Sequence, residues 1–515
     1  MSQTLVFGHC RLDVGNESLW RDDERVPLRP KTFAVLRYLV TNPGRLVTKE
    51  ELLDNVWHNV VVDDELLRGY VRELRQLLGD DVTAPKFIET VARRGYRFII
   101  EVRAEEMPDG GVPPGGLSLE STATSAAGRI RVGVLHSQTG MMAWTENPVI
   151  DATLLAISEI NSRGGIRGRP VEPVVADGRS SEDEFARQAE WLLADQKVSA
   201  LFGCWTSASR KAVIPLLEKY QRLLFYPVQY EGMEASPFVV YLGAAPNQQI
   251  LPAVRWAFGF LRARRFFLVG WDSIYSRAAN EIIRDEIGAA GGEIVGEAYL
   301  APDGGNVSGA VQQVASSQPH AILNSTVGDL NLLYSRALRA RGITPETLPT
   351  VYLSVGEAEL LSIGGHAAVG DYAVWNYFQS LSRPQNIAFV DRYRARYGPH
   401  RVTNDPMEAA YIGVNLWAQA RSAADTDDLA PLRNALNVQT LEAPEGLIRM
   451  DGETQHLWKT VRVARFEPDS QFRVVWSTES PIKPEPFPAS RSRSDWEDFL
   501  IGRFEDWGRR WTAPQ

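Results

Sequence analysis

The sequence is poor in cysteine, in long apolar runs and in charge of a single sign. Its two cysteines, Cys10 and Cys204, are too few and too far apart for a disulfide framework or a cysteine-based zinc site. No apolar run approaches the roughly 18 residues that cross a bilayer, and the first residues lack the charged start and apolar core of a signal peptide. We therefore expect a cytoplasmic protein with no membrane contact.

Motifs of the common enzyme classes are also missing. The sequence has no P-loop, no G-x-G-x-x-G after a strand, no nucleophile elbow and no metal-ligand spacing among its seven histidines. We expect no enzyme activity, no cofactor and no bound metal.

What remains is the composition of a folded protein with several domains. Of 515 residues, 44% are hydrophobic, and 55 lysines and arginines against 64 aspartates and glutamates give a net charge of −9. At about 150 residues per domain, this length holds roughly three to four domain-sized units. Because no basic coat covers the whole chain, any contact with nucleic acid must be local.

A polar segment divides the sequence. Residues 104–128 are rich in glycine, proline, serine and threonine, which predicts a flexible linker. We expect a small domain at 1–103, a larger body at 129–487 and an amphipathic helix within 488–515. The body alternates strand-like and helix-like segments in two series, which predicts an α/β protein with two doubly wound lobes.

The third helical segment of the small domain combines an apolar stripe with a basic flank. In DDELLRGYVRELRQLLG the leucines and valine repeat at helical spacing, and Arg68, Arg72 and Arg75 share a flank. Downstream, FIETVARRGYRFI predicts a hairpin with Arg93 and Arg94 at its tip. This pattern suits a helix in the major groove with arginines on phosphates or guanine edges, but a solvated helix with ordinary surface arginines fits the charge pattern equally well.

The order of these segments resembles the OmpR/PhoB-type winged-helix domain, in the form found in ToxR/CadC-like one-component regulators. The resemblance covers Thr4 to about Val102 and rests on RPKTFAVLRYLV, GRLVTKEELLDNVW, VRELRQLLGDD and FIETVARRGYRF. It implies that 64–78 is a recognition helix and 93–97 the wing. By position it places Leu66, Gly69 and Glu73 at base edges, Arg68, Arg72 and Arg75 nearer phosphate, and Arg93, Arg94 and Arg97 on the wing.

The loop FGCWTSASRKAV is the strongest site candidate in the larger body. A strand ends at Phe202, and Thr206 and Ser207 follow where a helix begins, so hydroxyls and unpaired backbone N–H groups meet there. Such a nest binds a carbonyl, carboxylate or phosphate oxygen, although ordinary helix capping explains the same pattern. Because ligands lie beyond the carboxyl ends of parallel strands, loops 136–140, 226–230, 271–275 and 324–329 are candidates too.

The body resembles the type I periplasmic-binding-protein fold, and within it the urea-binding components of ABC transporters and the cytoplasmic amide sensor of aliphatic amidase operons. The resemblance runs from Arg129 to about Phe487 and rests on RVGVLHSQTGMMA, AISEINSRGGIRGRPVEPVVAD, LLFYPVQYEGMEASP and NDPMEAAYIGV, among others. It implies a clamp that closes on urea, a short-chain amide or a similar small neutral molecule. The implied ligand contacts are Trp205, Thr206, Ser207, Tyr226, Val228 and Tyr275.

Together the two resemblances imply a one-component transcription regulator that binds operator DNA as a homodimer and senses a small ligand inside the cell. The alternatives are a ligand sensor that acts through a protein partner without binding DNA, and an amidase-like enzyme.

The C-terminal residues carry a separate signal. In SDWEDFLIGRFEDWGRRW the aromatic and leucine residues recur at steps of three and four, which predicts a helix with one continuous apolar face. We expect this helix to dock in a dimer or between domains; the alternative is that it covers a lobe of its own clamp.

Overall fold

The computed structural model describes residues 3–13, 18–22, 24–26, 28, 30–49, 51–52, 64–91, 94–106, 128–301, 304–363 and 368–514. The chain divides into two compact units: Met1–Thr124 with Thr139–Trp144, and Ser125–Gln138 with Thr145–Gln515. Most of the predicted linker therefore lies outside the described residues.

The N-terminal unit combines two antiparallel sheets with helices. Its elements are β1 (Gln3–Phe7), β2 (Cys10–Asp13), β3 (Ser18–Arg21), β4 (Glu24–Val26), α1 (Pro30–Val40), β5 (Leu46–Thr48), α2 (Asp64–Leu78), β6 (Ile88–Val91), β7 (Gly95–Phe98) and β8 (Arg103–Glu106). One sheet has the order β4-β3-β2-β1-β8, and the other has β5-β7-β6. Strand β8 pairs with β1, so residues 104–106, predicted as the start of the linker, belong to the sheet instead.

The core of this unit lies between the helices and the sheets. Helix α2 buries Leu67, Val71, Leu74 and Leu78 in the same apolar cluster as α1. The predicted apolar stripe is confirmed, and its burial leaves the opposite face of α2 exposed to solvent.

The C-terminal unit alternates strands and helices along most of its length. Its strands are β9 (Ile130–His136), β10 (Val171–Asp177), β11 (Ala200–Gly203), β12 (Leu223–Tyr226), β13 (Val239–Tyr241), β14 (Arg265–Trp271), β15 (Glu293–Leu300), β16 (Ala321–Asn324), β17 (Thr350–Tyr352), β18 (Tyr372–Trp375), β19 (Thr440–Ala443), β20 (Gly446–Asp451), β21 (His456–Trp458), β22 (Arg462–Phe466) and β23 (Phe472–Ser477). Its helices are α3 (Ala143–Ser162), α4 (Glu182–Ala194), α5 (Ser207–Tyr220), α6 (Ile250–Gly259), α7 (Ile274–Ala289), α8 (Val307–Ser317), α9 (Asp329–Ala340), α10 (Glu357–Ile363), α11 (Pro384–Tyr397), α12 (Asp405–Ala424), α13 (Leu429–Asn437) and α14 (Arg493–Asp506).

Two sheets define two lobes. The first lobe has the strand order β10-β9-β11-β12-β13-β21-β20-β19, and the second has β15-β14-β16-β17-β18-β22-β23. Strands β9–β13 and β14–β18 are parallel within each sheet, and the late strands close each sheet with antiparallel pairs. The chain crosses between the lobes after β13, after β18 and after β21. The predicted α/β class with two doubly wound lobes is confirmed.

The carboxyl end of β11 requires a glycine. Gly203 has φ +149°, and a Cβ built there would lie 1.9 Å from the Leu135 carbonyl oxygen of the neighbouring strand. Because no side chain fits at that distance, the backbone of β11 approaches β9 closely where both strands end. This brings the loop at 204–207 beside the end of β9.

Candidate functional sites

A groove of about 560 Å³ lies between α2 and the β6–β7 hairpin of the N-terminal unit. Its lining is largely basic and apolar and consists of Lys49, Arg68, Val71, Arg72, Arg75, Val82, Thr90, Val91, Gly95 and Tyr96. Cationic side chains around a groove beside an exposed helix face are the arrangement that contacts a phosphate backbone.

The predicted DNA-contacting residues fall into different environments. Arg68, Gly69 and Arg72 are exposed on α2, Glu73 is half-buried, and Arg94 is exposed at the hairpin. Leu66 lies on the first turn of α2, but its side chain and all of Arg93 are outside the described residues. The exposed residues remain predicted DNA contacts.

Two of the predicted arginines are held by protein partners. Arg75 donates from one nitrogen to the Ile88 carbonyl oxygen at 2.8 Å and to Thr90 Oγ1 at 2.7 Å. Arg97 donates to Glu89 at 2.8 Å across the β6–β7 pair. The Arg75 guanidinium ties α2 to β6, because an arginine at this position of the helix reaches the strand edge; its predicted contact with phosphate stays a prediction.

Sequence reasoning missed Lys49 and Thr90 in the groove lining. Neither follows a helical repeat of the recognition segment, so only the fold brings them to the groove. A Cβ built on Gly95 would lie 2.0 Å from the Val47 carbonyl oxygen, so this position requires glycine, which the sequence alone does not indicate. A glycine there lets β7 close on β5 and shapes the groove wall.

In the C-terminal unit, α5 of the first lobe and α7 of the second lie in contact. Thr206 is the N-cap of α5, and its Oγ1 accepts from the Ser209 backbone N–H at 3.0 Å. The capping interpretation therefore holds for Thr206. Ser207 does something else, since its hydroxyl donates to the Glu231 carboxylate.

Ser207 belongs to a buried ionic cluster that the sequence did not reveal. The fully buried Arg210 guanidinium bonds to Glu234 at 2.8 Å, to Glu231 at 3.2 Å and to Ser207 Oγ at 3.3 Å. Burial alone would lower the pKa of Arg210, but the Glu234 and Glu231 carboxylates hold it well above its ordinary value. Conversely, Arg210 and Lys211 outweigh burial and hold the pKa of Glu234 well below its ordinary value. The cluster is therefore charged.

Tyr226, one of the predicted ligand contacts, packs against this cluster. The Tyr226 hydroxyl donates to the Trp205 carbonyl oxygen at 2.6 Å, and the Tyr226 ring faces the Arg210 guanidinium at 4.7 Å. Trp205 is 7% exposed and Val228 2%. These contacts give Tyr226 a positioning role behind the loop, because its hydroxyl already has a protein acceptor.

Tyr275 comes to the site from the second lobe. It is 7% exposed, and its hydroxyl has no hydrogen-bond partner among the described residues, although the Gln229 and Ser354 side chains lie beside it. Burial raises its pKa, and the nearby Glu231 charge adds to the rise. Gln229 itself donates to Ser354 Oγ at 3.0 Å across the lobes. The structure thus brings Tyr275 near Glu231 of the Ser207 cluster; that these residues contact a ligand stays a prediction.

A second polar group lies at the carboxyl end of β9. His136 Nδ1 is 2.9 Å from Glu146 Oε2, which also accepts from the Ser137 backbone N–H at 2.9 Å. His136 Nε2 and Glu146 Oε1 have no hydrogen-bond partner within the described chain. Opposite, at the end of β16, Asn324 Nδ2 is buried and likewise unpartnered. A Cβ on Gly328 of that loop would lie 3.9 Å from Thr145 Oγ1, beside Glu146.

The C-terminal helix packs on the second lobe. Trp496 and Leu500 are buried in its apolar cluster, and Arg491 bonds to Asp285 on α7 at 2.7 Å. The second lobe of the same chain therefore covers Trp496 and Leu500, which is the alternative stated for this helix; docking in a dimer or between domains stays a prediction.

The described residues hold neither a candidate metal site nor a helix that could span a membrane. No group of three His, Cys, Asp or Glu side chains there is placed to hold a metal ion. No helix there is both long and apolar enough to cross a membrane.

Comparison with known families agrees with this geometry. The chain belongs to the family described as periplasmic binding protein domain, which matches residues 130–493. The family described as transcriptional regulatory protein, C terminal, matches residues 23–98, so the N-terminal domain is of the OmpR/PhoB type, as predicted. Neither family is catalytic.

Individual relatives match one part of the chain each. The transcriptional regulator HilA of Salmonella typhi is 40% identical over 97 residues, which is 19% of this chain and 17% of HilA. A limonene hydroxylase of Geobacillus stearothermophilus is 34% identical over 124 residues, 24% of this chain and 23% of that protein. The chain thus matches less than a quarter of the length of either relative.

Among solved structures, an ABC-transporter solute-binding protein of Rhodopseudomonas palustris in complex with 4-hydroxybenzoate is similar to this chain. It has a TM-score of 0.63 and 20% identity, and the match covers 69% of this chain and 98% of that one. At this identity the likeness shows the fold alone.

Proposed function

We propose that the protein is a cytoplasmic one-component transcription regulator. Its winged-helix domain binds operator DNA through the basic groove beside α2, and its two-lobed domain senses urea, a short-chain amide or a similar small molecule. The regulator acts as a homodimer, so that lobe closure alters how two winged helices sit on one operator. The combination of a DNA-binding domain and a ligand clamp in one chain supports this proposal.

One observation carries the sensing role. Five buried polar atoms at the carboxyl ends of the parallel strands lack a hydrogen-bond partner among the described residues: His136 Nε2, Glu146 Oε1, Gln229 Oε1, Tyr275 Oη and Asn324 Nδ2. They come from both lobes. Leaving such an atom buried and unpaired costs about 1–3 kcal/mol, so these positions favour a ligand that pairs with them.

The mixture of atoms favours a small neutral ligand. Glutamate and glutamine oxygens accept hydrogen bonds, while the tyrosine hydroxyl and the asparagine NH₂ donate. A urea or primary amide carries both an N–H donor and a carbonyl acceptor on a planar frame. The charges of the Ser207 cluster pair with one another, so they do not require a counter-charge from the ligand.

The full chain tests this proposal directly. Titration with urea and acetamide should raise the melting temperature. At a ligand concentration of about 100 times the dissociation constant, the free energy of unfolding should increase by about 2.7 kcal/mol. Ser207→Ala should weaken ligand binding and leave DNA affinity without ligand unchanged, because the hydroxyl lies outside the winged-helix domain. Ser492→Ala, which removes the N-cap of α14, is the matched control and should cost about 1 kcal/mol of stability without changing ligand affinity.

Two outcomes contradict the proposal. A chain that binds the ligand but no DNA upstream of its own gene would act through a protein partner instead. Turnover of the bound amide would identify an enzyme.

A further inference from the structure

The His136–Glu146 pair is a buried polar group of the cleft with open hydrogen-bonding atoms. His136 is 0% and Glu146 1% exposed. Glu146 Oε2 is occupied by the imidazole and by the Ser137 N–H, while Oε1 has no partner in the described chain. Within the described residues no lysine or arginine forms an ion pair with this carboxylate; its ion-pair partner is His136.

Glu146 Oε1 is an acceptor, and His136 Nε2 is a second one when the imidazole carries its proton on Nδ1. A neutral imidazole that donates its Nδ1–H to the carboxylate presents a lone pair at Nε2. Glu146 Oε1 presents further lone pairs beside it. Two acceptors side by side, one of them on a carboxylate, match a group with N–H donors and repel a second carboxylate.

The facing lobe offers the opposite polarity. Asn324 Nδ2 at the end of β16 and the Tyr275 hydroxyl are buried donors without a described partner. The loop that follows Asn324 approaches the start of α3, which carries Glu146: a Cβ built on Gly328 would lie 3.9 Å from Thr145 Oγ1. The cleft is therefore polarised, with acceptors on the first lobe and donors on the second.

We propose that the His136–Glu146 pair is a ligand subsite that takes the N–H end of a planar amide or urea, while the donors of the second lobe take its carbonyl oxygen. The proposal rests on the small-molecule sensing role and adds the orientation and the chemical class of the ligand. The ligand therefore needs both an N–H group and a carbonyl acceptor.

Three ligands of equal size test the subsite on the full chain. Acetate, acetamide and acetamidinium share one carbon frame and carry no, one and two nitrogen atoms. Isothermal titration should show binding of acetamide and no binding of acetate, which lacks an N–H group; acetamidinium should bind more weakly than acetamide, because it has no acceptor for the donors of the second lobe. Acetamidinium that binds as tightly as acetamide contradicts the proposed polarity of the cleft.

Glu146→Gln tests the residue itself. It preserves the side-chain volume but turns an acceptor toward the ligand N–H into a donor, so acetamide and acetamidinium affinity should fall by about tenfold or more. Glu190→Gln, the same change at a partly exposed carboxylate that bonds to Lys219, should leave both affinities unchanged.

The outcomes separate the two levels of the argument. A wild-type chain that binds none of the three ligands, nor urea, refutes the sensing role as proposed. A wild-type chain that binds acetate as well as acetamide, or a folded Glu146→Gln variant with unchanged affinities, refutes the subsite and leaves the sensing role standing. If Glu146→Gln does not fold, the three-ligand comparison on the wild type decides alone.

Discussion

Replacing the Arg210 guanidinium should destabilise the clamp far more than replacing any surface arginine. Arg210→Met keeps an unbranched side chain of similar length but removes the charge and the bonds to Glu234, Glu231 and Ser207. Glu234 retains Lys211 at 2.8 Å. Glu231, which is 0% exposed, is left with a single hydroxyl donor and no cation from this cluster.

The magnitude follows from this imbalance. Breaking a buried ion pair by removing one partner costs about 3–5 kcal/mol, because the remaining charge stays desolvated. At about 2.1 cal/mol/K of unfolding entropy per residue, a unit of several hundred residues loses about 1–1.5 °C of melting temperature per kcal/mol. We therefore expect Arg210→Met to melt about 4–6 °C below the wild type.

Differential scanning calorimetry of the full chain measures this shift. Urea is unsuitable as the denaturant, since it is a candidate ligand. Arg255→Met is the matched control: Arg255 pairs with Glu286 at 2.7 Å but its side chain is 64% exposed, so its loss should cost at most about 1 kcal/mol. If both variants melt within about 1 °C of the wild type, the cluster does not stabilise the clamp and the reasoning fails.

The remaining predictions concern DNA, pH and the C-terminus. Arg72→Ala should weaken binding to every DNA sequence and lower the salt slope by about one unit, whereas Arg75→Ala should destabilise the domain because Arg75 holds β6. Burial lowers the pKa of His456 to about 4, so the unfolded chain takes up this proton near pH 6.5 and the folded chain only near pH 4. The buried neutral His456 therefore contributes about 3 kcal/mol to the free energy of unfolding above about pH 6.5, and this contribution is lost as the pH falls toward 4. The variant His456→Gln should not show this pH-dependent loss. Deleting residues 509–515 should weaken ligand affinity several-fold while α14 stays packed.

Each of these has a contrary result. A salt slope unchanged in Arg72→Ala removes that side chain from the DNA interface. Equal acid sensitivity of the melting temperature in wild type and His456→Gln shows that another group dominates. If the chain shortened after Gly508 keeps its ligand affinity, the last residues do not contribute to lobe closure. The control is Arg493→Ala, a substitution at an exposed position of α14.

The two-lobed fold could be predicted from the sequence because the hydrophobic periodicity and the residues that end each segment indicate the same elements. Helices α5 and α8 each begin after a loop and end before a left-handed residue, Gln221 and Gln318. The N-terminal strands are harder to predict, because Gly8 and Asp22 adopt positive φ and turn the chain between β1 and β2 and between β3 and β4.

The site was predictable only in part, because its chemistry depends on residues far apart in sequence. Ser207 and Tyr275 follow from the resemblance, and the structure places both at the contact of α5 with α7. Arg210 and Glu231 escaped notice because an arginine inside a helix and a glutamate in a loop are usually solvated. Their burial distinguishes them from solvated residues of the same types, and no local sequence pattern indicates that burial.

The C-terminal residues show what an apolar stripe can and cannot establish. Helical spacing correctly indicated that one face is buried, but the burying surface is the second lobe of the same clamp. Beyond the helix the chain continues to the first lobe: Arg510 bonds to Glu182 at 2.8 Å and to Asp183 at 2.7 Å, and the Lys211 ammonium lies 4.7 Å from the Trp511 ring. Since the helix is fixed to one lobe and its end to the other, the lobes cannot separate without breaking these contacts or moving the end of the chain.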